Sequence, residues 1–386
     1  MRKNKSQSKS WRKVKLGDIT GINLRSIEKN TPHKQIEYID ISSVGTGILF
    51  GTTKYFFSKA PNRARRLVSD GDTILSTVRP NRRSFYFIKK PKNNLVVSTG
   101  LAVLSSKKNV NSRFLYYIVC DQKFSDYLSA NAKGSAYPAV DVEIIKRFEL
   151  TIPSFSIQQK IASVLSAYDD LIEVNSKKIK NLEEMAQAIF KEWFVKFKFP
   201  GYEKVKFKNG IPEGWENTKV GSLIKRVQSG KKYDNKTASE KGEIPILDQG
   251  RSGIIGYHNN EPGVVAGEEN PIIVFANHTC YQNLIMFPFS AIQNVLPFYP
   301  NEENHRNIYW LHWATKDLIK FNDYKGHWPE FVAKKLLLPS VNLCNKFGDT
   351  IELMIALKYK LEKMNNNLRK TRDLLLPKLM SGEISV

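Results

Sequence analysis

The sequence predicts an α+β fold made twice: a globular domain of mixed β-sheet with peripheral helices, a long helix, a second such domain and a second long helix. Two observations carry that prediction. The first is a pair of apolar seams stepping by three and four residues: Leu165, Tyr168, Ile172, Asn175, Ile179, Leu182, Ala186, Ile189 and Trp193 in one stretch, and Met354, Leu357, Leu361, Met364, Leu368 and Leu375 in another. A seam repeating every 3.5 residues belongs to a helix that lies along its length against another helix, so each stretch supplies the other's partner. Asn175 is the one polar residue in the first seam; it either fixes the register of the pair or marks a hydrated gap.

The second observation is a set of echoes in the same order along the chain. Trp11, Leu16-Gly17 and Ile19 reappear as Trp215, Val220-Gly221 and Leu223, and Gly134 to Pro138 is echoed by Gly326 to Pro329. Superposing Pro153 on Pro339 pairs Ile157 with Leu343, Ile161 with Phe347, Leu165 with Ile351 and Leu182 with Leu368. Internal repetition on this scale sets the architecture before any local assignment. It places a first domain at 1–152, a central helix at 153–198, a second domain at 199–338 and a terminal helix at 339–386.

In order, residues 1–10 read as a basic lead and Trp11 opens the first domain. Strands are expected at Glu37 to Ser42, Thr73 to Thr77, Phe85 to Ile88, Leu95 to Val97 and Leu101 to Leu104, with helices at Arg113 to Cys120 and Phe124 to Ala130. The stretch from Lys196 to Gly214 has prolines, glycines and lysines without periodicity and reads as a linker. The second domain offers strands at Ile244 to Leu247, Ile254 to Tyr257, Pro271 to Phe275 and Asn283 to Phe287.

Charge indicates the partner. The 386 residues carry a net +23, and residues 1–150 hold 28 Lys and Arg against 11 Asp and Glu, so the excess is concentrated in one domain. A surplus placed that way implies a polyanion, and without an amphipathic lipid anchor the polyanion is nucleic acid. No run approaches the ~20 apolar residues of a membrane span. Three separated cysteines, Cys120, Cys280 and Cys344, argue for a reducing cytoplasm rather than a disulfide framework.

Candidate contacts follow from loops where cations sit beside aromatics. In the first domain these are Arg63, Arg65 and Arg66 ahead of a turn, Arg79, Arg82 and Arg83 between two strands, and Lys133 with Tyr137 in the turn that feeds the long helix. In the second they are Lys231, Lys232 and Tyr233, then Gln249 and Arg251, with Asn277-His278 and Gln293-Asn294 as polar pairs at strand ends. Arginine can bond phosphates or the guanine edge, and Gln and Asn suit adenine. Each such residue also suits an ordinary solvated turn, so the clusters mean more than their members.

Catalytic signatures are missing. The sequence holds no G-x-x-x-x-G-K-[ST], no Asn/Asp-Pro-Pro-aromatic tetrapeptide and no Glu-x-Lys. The six histidines form no H-E-x-x-H and pair with no cysteine at zinc spacing. A nucleic-acid charge without a catalytic constellation describes a binding subunit.

The chain resembles the DNA specificity subunits of bacterial type I restriction-modification systems. The resemblance rests on the Trp11 to Ile19 start, on Leu150 to Pro153 with Gln158-Gln159-Lys160-Ile161-Ala162 and Asp169-Asp170-Leu171-Ile172, on Ala188 to Phe194, on Ile211 to Trp215 and on the ending Leu374 to Ile384. It departs from the family before Gln158, where a second proline and a Glu are usual, and the second copy after Pro339 is further degraded.

This resemblance implies that each domain is a target recognition domain reading one half of a bipartite site in double-stranded DNA, and that the two helices lie antiparallel as a coiled-coil spacer around a pseudo-twofold axis. The 37 residues from Ile157 to Trp193 would make a rod of roughly 55 Å. It also implies docking of two methyltransferase subunits, which two restriction subunits can join. S-adenosylmethionine, ATP and Mg²⁺ would then belong to those partners, with no cofactor and no metal in this chain. The alternative is a stand-alone two-domain DNA-binding regulator or scaffold that needs no methylase.

Overall fold

Short runs rich in β-branched and aromatic residues, broken by Gly, Asn and Pro, cannot sustain helices and form strands instead. In the computed structural model, which describes residues 11–28, 30–250, 253–304, 306–321 and 326–386, the first domain has ten of them. They are β1 (Arg12–Lys15), β2 (Thr20–Ile22), β3 (Gln35–Ile39), β4 (Thr53–Phe56), β5 (Ala64–Leu67), β6 (Thr73–Ser76), β7 (Phe85–Phe87), β8 (Leu95–Ser98), β9 (Leu101–Ser106) and β10 (Glu149–Ile152). The helices are α1 (Leu16–Ile19), α2 (Ser112–Cys120), α3 (Gln122–Ala130), α4 (Val142–Arg147) and the long α5 (Phe155–Phe190). Two four-stranded sheets run β2-β9-β6-β7 and β4-β3-β8-β5, and β1 pairs with β10. Strand β8 is buried throughout, and it pairs parallel to β3 and antiparallel to β5.

The second domain repeats this plan. Its strands are β11 (Phe207–Lys208), β12 (Ile211–Pro212), β13 (Glu216–Lys219), β14 (Ile224–Arg226), β15 (Ile244–Leu247), β16 (Ile254–His258), β17 (Ile272–Ala276), β18 (Gln282–Ile285), β19 (Ser290–Ala291), β20 (Val295–Pro300) and β21 (Lys335–Leu338). Its helices are α6 (Val220–Leu223), α7 (Ile308–Thr315), α8 (Trp328–Ala333) and the long α9 (Val341–Met380). The sheet β14-β20-β17-β18 answers β2-β9-β6-β7, the sheet β16-β15-β19 answers β4-β3-β8, and β13-β21 answers β1-β10. The parallel pairing of β3 with β8 recurs as β15 with β19. Even the caps repeat: Asn111 accepts from Phe114 N–H at 3.0 Å to start α2, and Asn307 from Tyr309 N–H at 2.8 Å to start α7.

The chain divides into two compact units, Met1–Glu173 with Asn366–Val386, and Val174–Asn365. Each takes in part of each long helix.

In the first unit Ile161, Ala162 and Leu165 of α5 share a core with Leu376 and Leu379 of α9 and with Phe114 and Tyr117 of α2. Arg372 Nη1 donates to Asp169 Oδ1 at 2.5 Å, and Tyr117 OH donates to Asp169 Oδ2 at 2.6 Å. In the second unit Ala186 packs in the core that holds Phe347, Ile351 and Ile355, Lys358 pairs with Glu183 at 2.8 Å, and Asn175 meets Asn365. Within each unit, rising numbers on α5 meet falling numbers on α9, so the halves run antiparallel.

Along α5 the seam lies where the spacing puts it: Leu165, Asn175 and Ala186 are buried, and Tyr168, Ile172, Ile179, Leu182, Ile189 and Trp193 are half-buried. Along α9, Leu361 is buried and Met354, Leu368 and Leu375 are half-buried. Leu357 and Met364 depart from the expectation, at 47% and 46% exposure. Lys358 and Asn365, one residue further on, take the inward positions because each finds a polar partner on α5. A seam traced by apolar residues alone cannot register that substitution.

Candidate nucleic-acid interface

In both domains one end of the paired sheets gathers the same set of loops. The chain leaves β6 at Thr77, whose N–H donates to Gly100 O at 3.0 Å and whose carbonyl accepts from Val140 N–H at 2.9 Å. It leaves β17 at Asn277, whose N–H donates to Asn294 O and whose carbonyl accepts from His327 N–H, both at 2.9 Å. Each outgoing loop is thus clasped between the turn entering the neighbouring strand, β9 or β20, and the segment just ahead of a short helix, α4 or α8. Asn277 adds a side-chain bond, its Oδ1 accepting from Trp328 N–H at 2.8 Å. The Thr99-Gly100 turn lies close against Ile41: a Cβ at Gly100 would stand 2.1 Å from Ile41 Cδ1, so the Ile41 side chain would have to shift to admit one.

The basic edge segments occupy matching places beside these clasps. Arg63 O accepts from Thr99 N–H at 2.8 Å and Ala64 pairs with Ser98, the last residue of β8. Lys232 bridges to Ala291, the last residue of β19. A rim carrying cations, exposed turns and aromatics is what phosphate contact and groove contact both need.

In the first domain the structure brings Arg79, Lys133 and Tyr137 together. The loop from Lys133 to Ala139 is closed by reciprocal 2.9 Å backbone bonds, and Arg79 N–H donates to Pro138 O at 2.6 Å. The Arg79 guanidinium lies 4.5 Å over the Tyr137 ring and donates to Ala136 O at 3.2 Å, while Tyr137 is 69% exposed. Arg79 and Arg83 both have left-handed backbone, φ +51° and +52°, so the loop holds a bent, strained course around Pro80. Arg82 and Arg63 are exposed, and half-buried Arg65 donates to Asn62 O at 3.0 Å.

Two of the expected contacts point elsewhere. Arg66 Nη1 donates to Leu101 O at 2.5 Å, and burial lowers its guanidinium below the usual range. Arg83 bonds Gln122 Oε1 and Cys120 O, each at 2.6 Å, tying the loop to the α2–α3 junction. Both are turned to their own domain by the alternation of side chains along β5 and by the reversal at Pro80, neither of which a count of arginines reveals.

In the second domain Lys231 and Lys232 are exposed at the rim as residues, but the Lys232 ammonium turns in to Ser229 Oγ, and this partial desolvation with the nearby Arg226 charge lowers it. Tyr233 is inside, stacked on His258 at 4.3 Å with its OH accepting from Asn260 Nδ2 at 3.2 Å. Gln249 is committed to the clasp: its Oε1 accepts from His278 N–H at 2.9 Å and its carbonyl from Thr279 Oγ1 at 2.6 Å. Arg251 lies outside the described residues. The two proline echoes are not equivalent, since Pro138 precedes its helix and Pro329 lies within α8. The Thr99-Gly100 turn falls where a connection is expected, between strands at Leu95 to Val97 and Leu101 to Leu104, but nothing in a short Thr-Gly marks it as part of the clasp. Among the described residues no group of three or more His, Cys, Asp or Glu could hold a metal, and no helix is long and apolar enough to cross a membrane.

Comparison with known proteins points the same way. Residues 8–184 match the family described as type I restriction modification DNA specificity domain. The chain is 28% identical over 341 residues to the type I restriction enzyme MjaIX specificity subunit of Methanocaldococcus jannaschii, with 81% of this chain and 78% of that one covered. It is 28% identical over 190 residues to the HindI specificity subunit of Haemophilus influenzae, covering 48% and 41%. Its fold is similar to the crystal structure of the type I restriction-modification S subunit from M. genitalium, with a TM-score of 0.58 and 17% identity over 98% of both chains.

Proposed function

We propose that this chain, whose residues 8–184 match the type I restriction modification DNA specificity domain, reads the two halves of a bipartite DNA site with its two domains, and that its helices set the spacing between the halves. The repeated clasp supports the reading most directly. Two domains that present the same loops from the same strand ends, with different side chains on them, are suited to recognising two different short sequences in the same manner. Base edges in the major groove distinguish all four pairs, whereas phosphate contacts only position the reader. The charge excess of the first domain supplies affinity that sequence alone does not require.

The helices would serve as ruler and dock. Each unit leaves apolar side chains outside the seam: Val164, Leu171 and Leu374 in the first, Met185, Leu353 and Leu357 in the second. Leu353 is 80% exposed and Leu374 69%, more than a helix needs for its own pairing. Two such sets suit two copies of one methyltransferase partner, with restriction subunits joining outside them. The methyl donor, ATP and Mg²⁺ would belong to those partners in the cytoplasm, and this chain would perform no bond-making step.

Co-expression tests the assignment. The chain and the modification subunit of its own locus should purify as a stable complex that methylates DNA, and the chain alone should transfer no methyl group and cut no DNA. Activity from the isolated chain, or failure of the two to associate, as a stand-alone regulator requires, would overturn it.

A further inference from the structure

The repeat locates the second domain's reading loop. Because Thr77 and Asn277 make the same two backbone bonds, the residues that follow them are equivalent, and His278, Thr279 and Cys280 stand at the places of Val78, Arg79 and Pro80. This segment was the less conspicuous in sequence, having no arginine.

Its side chains are unusually well defined. Gln249 Oε1 receives the backbone N–H of His278 at 2.9 Å, which only an oxygen can do, so the other atom of that amide is the NH₂ group. That group lies 3.3 Å from His278 Nδ1, which must therefore be the acceptor. With Nδ1 accepting, the neutral ring carries its proton on Nε2. His278 is half-buried, its backbone N–H held by Gln249, and the residue that follows it, Thr279, is exposed. A fixed N–H donor on a rim loop complements the acceptors of the major groove: guanine O6 and N7, adenine N7 and thymine O4.

We propose that His278, held as an Nε2–H donor by Gln249, reads a base in the half-site of the second domain. The proposal rests on the reading of function given above, since it assigns a reader within that same rim. Gln249 is a positioning residue; it acts through His278 and by tethering Thr279.

The test is a methylation map of genomic DNA from cells carrying the intact locus with single substitutions in this chain. His278→Ala should relax one position of one half-site, with roughly tenfold less discrimination there, and leave the other half-site unchanged. Gln249→Glu keeps the oxygen that accepts from His278 N–H and removes the donor to Nδ1. The ring proton should then move to Nδ1, turning the outer nitrogen into an acceptor and shifting preference at the same position, towards the cytosine or adenine amino group. A site unaltered by both substitutions would refute the role of His278, as would loss confined to the other half-site. If H278A fails to accumulate, the Gln249→Glu map decides alone. Failure of the wider functional reading is separable: the wild-type locus would then leave no bipartite motif at all.

Discussion

Asn175 Nδ2 donates to Asn365 Oδ1 at 3.0 Å, with both side chains only 2% exposed, and Asn365 Nδ2 reaches Ser176 Oγ at 3.3 Å. Two buried amides on facing helices satisfy each other in one register only. Asn175→Leu removes the donor to Asn365 Oδ1 and should cost about 1–3 kcal/mol, whereas Asn175→Leu with Asn365→Leu should recover most of that loss. Denaturant unfolding of the two single variants and the double variant checks this. Strictly additive losses would mean that the amides are not coupled.

The first unit's helices should tolerate salt and resist single charge removal poorly. Asp169 accepts from both Arg372 and Tyr117 at sites where the carboxylate side chain is 15% exposed and the arginine 21%. Burial disfavours the Arg372 charge, but Asp169 and Asp373 hold its pKa above the usual value. Asp169→Asn should lower stability by about 3 kcal/mol, with little difference between 0.1 and 0.5 M NaCl. A loss that disappears at high salt would indicate a surface pair instead.

Acid should weaken the second unit through His312. Burial, with Lys316 and Lys358 nearby, pushes its imidazole down to about 3, so the folded protein keeps it neutral while the unfolded chain protonates near the ordinary value. Its contribution is complete above about pH 6.5 and is lost as pH falls towards 3; between pH 7 and 5 that amounts to about 2 kcal/mol. His312→Gln should flatten the fall in melting temperature over this range. An identical pH profile in the variant would contradict the assignment.

The arginines of the Arg79 loop should separate by role. Arg82→Ala should weaken DNA binding and reduce the salt slope by about one without moving Tm, because Arg82 is exposed and Arg83 makes the loop's anchoring bonds. Arg83→Ala should lower Tm. Filter binding across salt concentrations, paired with calorimetry, distinguishes the two outcomes; equal effects of both substitutions would contradict the placement.

Periodicity made the helices, their pairing and the duplication legible, since a 3.5-residue seam and ordered echoes survive divergence of everything between them. The same signal misplaced Leu357 and Met364, because Lys358 and Asn365 enter the seam by finding Glu183 and Asn175, and partners are invisible along one chain. Strands β1, β2, β4, β5 and β10 of the first domain and β11, β12, β13, β14, β19, β20 and β21 of the second went unread: Arg12–Lys15 and Ala64–Leu67, for example, are rich in cations and lack a β-branched run. Of the candidate contacts, loop composition located Arg79, Lys133 and Tyr137, which do come together. It could not distinguish them from Arg66, Arg83 and Tyr233, whose direction is set by strand alternation, a left-handed turn and stacking on His258.

In the proposed function the two domains recognise two half-sites. Mapping methylated adenines in cells with the locus intact, deleted, and carrying the second domain's rim loops exchanged for those of a relative tests it most directly. One bipartite motif is expected, lost on deletion and altered in only one half by the exchange. A motif that survives deletion, or an exchange that alters both halves together, would contradict it.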